Sequence, residues 1–335
     1  MTAVDTLPLE QKWKDRLGLS GRRAPEFYET ADAVIDAPHA LALRTAFEDL
    51  QVTAVFCVQG VPTIVFLAIE QYEQQRVIDL HAALWNQGLA SLLLVLCGDT
   101  LRAYSLAKKP YKDRNEEFDS RCLVTLLDNT TEVLKFRNLI DGAESGRLWT
   151  EHTNYFNPKE RIDQVLLENL TASHEKLCKA NLSADAAQAL LIQAMFIAYL
   201  EDRGIIKEDY FREASRDAVE SFSALLASGN NLKLVSPLFN KLRKDFNGNL
   251  FVAPCSFEPQ AKAPAITSAH LEVLARFRDG REEMGKGGQL LFWGYNFRFI
   301  PIELVSAVYD RFLGEREDER REQGPIINGL RDRVT

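Results

Sequence analysis

Nothing in this chain approaches the roughly 18 unbroken apolar residues that a membrane-spanning helix needs. Its N-terminus, MTAVDTLPLEQKWKDR, lacks the apolar centre of a signal peptide, so the sequence predicts a cytoplasmic protein and no membrane partner. Cysteine is sparse. Cys57, Cys97, Cys122, Cys178 and Cys255 lie far apart, with no CxxC pair and no histidine at zinc spacing. Reduced, buried thiols are expected, not a disulfide framework or a zinc module. Positive charge is short too: 40 Lys and Arg face 48 Asp and Glu, a net charge of −8, which does not draw DNA from a distance. Any contact with nucleic acid would rest on local patches or on a partner.

Catalytic signatures are missing as well. GREEMGKG at Gly280–Gly287 comes close to a phosphate loop, but Gly287 stands where Ser or Thr would hold magnesium, and HLEVLARFRD before it is helical in pattern. A plain loop is the better reading. His39, His81, His152, His174 and His270 are scattered, with no HExxH and no GxSxG. His81, in a helical stretch beside Trp85, reads as a satisfied core or surface histidine. Adenine-N6 methylation needs a (D/N/S)PP(Y/F) tetrapeptide to hold the flipped base, and the chain has none. NPKE at Asn157–Glu160 has one proline and no aromatic ring.

What is present divides into two regimes. From about Val52 to Leu106 the pattern is β-β-α-β-β: VTAVFCV, a QGVP turn, TIVFLAI, a helix ending at Gly88, then ASLLLVLCGDTLRAYSL with a Gly-Asp turn. Val77, Leu80, Ala83 and Leu84 have helical spacing, and the continuous apolar strands predict a sheet covered on both faces. After about Trp149 the chain turns helical. Ile162, Val165, Leu166, Leu170 and Leu177 mark one helix, and Ser183 caps a second that ends at Gly204. Further helices are predicted over Asp217–Ala227, Leu232–Phe246 and Ser268–Arg278, with a loop around Pro254, Pro259 and Pro264. A last amphipathic helix begins at Pro301 and ends at Gly314, with Ile302, Val305, Val308, Tyr309, Phe312 and Leu313 on one face. Leu290–Phe299 is its nearest aromatic neighbour in the chain.

These patterns predict a helical lead-in over residues 1–45, an α/β domain with a mixed sheet over 46–148, a mainly helical domain over 149–315 and a charged tail over 316–335. Three basic patches are candidate DNA contacts: Arg22 and Arg23; Lys108, Lys109, Lys112 and Arg114; and Lys241, Arg243 and Lys244. Each also fits an ordinary solvated face. Ile302, Val305, Tyr309 and Phe312 form a candidate partner interface, unless the helix packs within its own domain.

The β-β-α-β-β region resembles the core of PD-(D/E)XK nucleases, with Leu92–Tyr104 matching the last strand pair. That resemblance implies two acidic ligands and a lysine converging on a divalent metal to activate water. Here every residue from Thr63 to Ile69 is uncharged, and Glu70 lies past the strand with no lysine two residues on. A degenerate, inactive nuclease fold is expected. The alternative, a divergent metal-dependent endonuclease, would draw on Asp79 and Asp99 with Lys108.

Three longer stretches, Leu80–Leu106, LLIQAMFIAYLEDRGII at Leu190–Ile206 and WGYNFRFIPIELVSAVYDRFLGE at Trp293–Glu315, resemble the N-terminal half of DNA adenine-N6 methyltransferases of the restriction–modification and phage-defence kind. In that family the last stretch leads into the methyltransferase domain. Here RREQG is followed by Pro-Ile-Ile-Asn-Gly where Tyr-Tyr-Thr-Pro would be expected. The resemblance implies a truncated or separately encoded piece, or one with a non-catalytic role. Its partners would be DNA and a methyltransferase or other defence-system subunit. S-adenosylmethionine and magnesium would belong to that catalytic partner or domain. A third reading, an adaptor or inhibitor of a host complex, fits the acidic charge.

Overall fold

The computed structural model describes residues 6–34, 36–110, 118, 122–128, 133–227, 232–246, 266–280 and 295–314. Two compact units result, the first running to Gln164 and the second from Val165. Of the described C-terminal residues, 299–301 belong with the first unit, and 295–298 and 302–314 with the second.

A mixed six-stranded sheet organises the first unit, its strands adjacent in sequence order: β1 (Phe27–Tyr28), β2 (Ala54–Val58), β3 (Val61–Ile69), β4 (Leu92–Cys97), β5 (Thr100–Ser105) and β6 (Cys122–Leu127). All neighbours are antiparallel except β3 and β4, which are parallel. Parallel neighbours need a crossover, and helix α3 (Gln74–Gln87) supplies it, stopped by Gly88 in the left-handed conformation at φ 70°. β2 and β3 meet through Gln59–Gly60, both at positive φ (53° and 81°), as a type I′ hairpin turn requires. Gly60 is doubly constrained, because a Cβ there would lie 3.2 Å from the Pro38 ring.

The predicted β-β-α-β-β order is therefore present, with a strand added at each edge. β1 lies inside the stretch expected to be a helical lead-in. That stretch also carries α1 (Gln11–Leu17) and α2 (Ala40–Glu48).

Strand alternation sends successive side chains to opposite faces, and both faces are buried. Val55, Val65, Leu67, Leu93, Val95 and Tyr104 pack with Leu43 and Ala46 of α2 and Val77, Leu80 and Leu84 of α3. Phe56, Ile64, Phe66, Leu92, Leu94, Leu96 and Leu101 pack with Trp13 and Leu17 of α1. Phe136, Leu139 and Ile140 of α4 (Val133–Glu144) complete that second layer. Cys57 is inside, and burial pushes its thiol up to about 12. Cys97, Cys122 and Cys178 are only half-buried, so the expectation of buried thiols holds fully for one of these four. Cys255 lies outside the described residues.

The second unit is helical: α6 (Ile162–Lys179, begun in the first unit), α7 (Ala184–Asp202), α8 (Glu208–Ser215), α9 (Phe222–Ala227), α10 (Leu232–Phe246), α11 (Ser268–Arg278) and α12 (residues 302–314). The short α5 (Arg147–Glu151) precedes them in the first unit. Ser183 caps α7 as expected, its hydroxyl accepting from the Ala186 N–H. The helix expected over Asp217–Ala227 is shorter. Arg216 and Asp217 take left-handed backbone angles (φ 56° and 62°) that end α8, so α9 starts only at Phe222. The loop around Pro254, Pro259 and Pro264 and most of Gly280–Gly287 lie outside the described residues.

Phe66 is fully buried and meets Phe27 edge-on, ring centroids 6.0 Å apart. Phe66→Ala is expected to cost about 3–5 kcal/mol of stability. Denaturant unfolding measures this, and a loss under about 1 kcal/mol would contradict the packing described.

Candidate functional site

Among the described residues a cluster of buried charge lies in the second unit, where α7 ends. Glu201 and Asp202 are consecutive, with side chains 18% and 15% exposed, and Arg278 at the end of α11 is 14% exposed. Asp202 hydrogen-bonds the Arg278 guanidinium through one oxygen and accepts the Phe297 backbone N–H at 2.8 Å through the other. Arg278 also donates to the Tyr295 carbonyl at 3.0 Å, and Arg203 Nε donates to the Phe297 carbonyl at 3.1 Å. Glu201 accepts the Phe222 N–H at 2.8 Å. Its other oxygen, 3.9 Å from Arg278, is held by charge and not by a hydrogen bond. Below, Tyr295 reaches α6: its hydroxyl meets Asn169 and lies 3.4 Å from the Val165 carbonyl.

Burial raises the carboxyl pKa of Glu201 above its ordinary value, offset by the Phe222 N–H and then by Arg278. Burial likewise raises Asp202, offset by Arg278 and the Phe297 N–H. Raised carboxylates beside an arginine are a frequent sign of acid–base chemistry. Here, however, both Asp202 oxygens and one Glu201 oxygen are already committed to backbone amides or to Arg278. The cluster is a clamp that ties the Tyr295–Phe297 turn to the ends of α7 and α11.

The sequence-predicted cations divide into committed and exposed. Arg22 is bound between Glu26 and Glu144 and covers the Phe56 ring at 5.2 Å. Lys108 pairs with Glu160 at 3.5 Å, and Lys109 is buried. Lys241 bridges Glu213 (2.9 Å) and Asp245 (3.4 Å) and sits over Tyr210 at 4.5 Å. Arg23, Arg243 and Lys244 are exposed. Lys112 and Arg114 lie outside the described residues.

Of the candidate partner interface, Val305 and Phe312 are buried and Ile302 and Tyr309 half-buried. Phe312 packs edge-on against His174 of α6 at 5.8 Å. α12 thus places this face inside its own unit, one of the two outcomes its pattern allowed. His81 is buried in the core, one of the two places expected for it, with its Nε2 2.8 Å from the Ser105 carbonyl.

The residues of the alternative nuclease site are each engaged elsewhere: Asp79 with Gln75, Asp99 with Lys12 and Lys108 with Glu160. Among the described residues no three His, Cys, Asp or Glu side chains group where they could hold a metal ion. No helix among them is long and apolar enough to cross a membrane. No known protein family, curated protein or solved structure matches the chain.

Glu201–Arg203 lie in the Leu190–Ile206 stretch, but its pattern alone does not assign them this role. The signal was the placement of two acids and an arginine at the end of an otherwise apolar helix. Lys233 likewise goes unassigned, since only the helical phase of α10 reveals it as part of an exposed basic stripe.

Asp202→Asn removes the carboxylate hydrogen-bonded to Arg278 and leaves Glu201, at 3.9 Å, as the remaining counter-charge, so it is expected to cost about 1–3 kcal/mol in denaturant unfolding. Glu201, like Asp202, has its carboxyl pKa raised by burial. Its folded pKa lies above its unfolded one, so the folded state holds the proton longer and ionisation costs stability as pH rises through the raised value. Glu201→Gln keeps an acceptor for Phe222 and removes that cost. Its melting temperature relative to the native chain is expected to rise as pH climbs from the ordinary carboxylate range through the raised value. A pH-independent difference would contradict the burial of this carboxyl.

Proposed function

We propose that this chain is a non-catalytic, DNA-contacting scaffold module of a restriction–modification or phage-defence DNA methyltransferase system, working in the cytoplasm. One observation carries the reading. Two of the stretches that resemble such enzymes, Leu190–Ile206 and Trp293–Glu315, are joined in the second unit by Asp202 and Arg203 of the one reaching Phe297 of the other. This contact between segments 95 residues apart supports reading the two stretches together as parts of one unit.

The first unit supports the non-catalytic half of the proposal. Its β2–β3 hairpin, α3 crossover and parallel β4 suit a degenerate PD-(D/E)XK core, and Thr63–Ile69, where metal ligands would stand, are buried. S-adenosylmethionine and magnesium chemistry would then belong to a partner subunit or domain.

Fluorescence anisotropy with duplex DNA tests the contact. The full chain is expected to bind at low salt and to lose affinity steeply as salt rises, while supercoiled plasmid with magnesium or manganese stays uncut. No binding at low salt would remove the DNA role, and nicking would overturn the non-catalytic reading.

A further inference from the structure

We infer that α10 is the element that touches DNA, gripping the phosphate backbone of a duplex through Lys233, Arg243 and Lys244 without reading its sequence. This rests on the DNA-contacting reading above and adds a site and a mode to it.

α10 carries four cations, Lys233, Lys241, Arg243 and Lys244, against the single carboxylate Asp245. In a chain of net charge −8 that local surplus stands out. Three of the four are exposed and, among the described residues, paired with no carboxylate. By contrast Arg22, Lys108 and Lys241 are each tied to an acid of their own unit, and a phosphate would have to break those pairs.

The helix is held in a fixed rotation. Val235, Leu238, Phe239 and Leu242 are buried. At 100° per residue, Lys233, Pro237, Asn240 and Lys244 then form one outward stripe, with Arg243 on its flank. Asn240 adds a neutral donor to that stripe. The span from Lys233 to Lys244 is about 16 Å, roughly five duplex steps of about 3.4 Å.

Neighbouring acids do little to oppose the contact. Lys241 lies between Glu213 and Asp245 and offsets one of their two charges, Lys244 acts on Asp245 as well, and Asp245 also accepts the Tyr210 hydroxyl at 3.0 Å. No aromatic side chain shares the stripe. Phe246 is exposed, but it lies near the opposite side of the helix from Lys244, where it cannot stack bases alongside these cations. The stripe thus has the chemistry for phosphates and lacks the stacking platform that single strands favour.

Anisotropy titrations of the full chain at several salt concentrations, with a short duplex, test this. Three phosphate contacts predict a slope of log K against log salt of about −2.7, and an affinity roughly 40-fold weaker at about 200 mM than at about 50 mM. Lys233→Gln, Arg243→Gln and Lys244→Gln should each flatten the slope by about one. The triple variant should lose most of the binding, with an unchanged melting curve because all three side chains are exposed. Arg23→Gln and Arg137→Gln, exposed cations of the first unit, should bind as the native chain does. Native binding that survives in the triple variant would overturn the inference and leave the DNA-contacting reading standing. Tighter binding of a single-stranded oligonucleotide than of duplex would also overturn it. No binding by the native chain would remove the reading itself.

Discussion

Burial on both faces of the central strands is the constraint from which the first unit follows. Eight consecutive residues of β3, Pro62 to Ile69, are buried, as are five of β4 from Leu92. A strand in that position has no solvent side on which to alternate polar residues, so it reads as an unbroken apolar run. The same constraint excludes a carboxylate or lysine from those positions. An ion there would leave water without a partner, at a cost far above what one side chain contributes to stability. The covered sheet and the uncharged run over Thr63–Ile69 are thus one physical fact.

The second unit solves a different problem, that of closing a helical assembly with a turn from far along the chain. Phe297 offers an N–H and a carbonyl that helix geometry does not satisfy, and Asp202 and Arg203 take one each. Arg278 links this turn to α11 and compensates the two acids it faces. The cluster is not fully satisfied, since Arg278 Nε has no hydrogen-bond partner. Such a partly met network carries a desolvation cost along with its specificity for one arrangement.

Much of this was legible before any coordinates because the decisive signals are local. Gln59–Gly60, Gly88 and Ser183 mark a turn, a stop and a cap by their own chemistry, and the spans of α10 and α11 follow from apolar spacing alone. β1 was missed because two residues, Phe27 and Tyr28, carry no period. α9 was overextended because nothing in Arg216–Asp217 announces left-handed backbone in non-glycine residues. The clamp was beyond reach for another reason: Asp202 and Arg278 stand 76 residues apart, and only folding pairs them. The basic patches show the limit most sharply. Lys241 and Lys244 are the same residue type three positions apart, yet one is held by Glu213 and Asp245 and the other faces water.

We propose that this chain works by presenting the cationic face of α10 to duplex DNA. Lysine-modification footprinting of the full chain, with and without a short duplex at low salt, addresses it most directly. The account predicts that duplex shields Lys233 and Lys244 from an acylating reagent and leaves Lys108 and Lys241 as they are in the chain alone. Shielding of Lys12 or Lys108 with α10 labelled as before would contradict it.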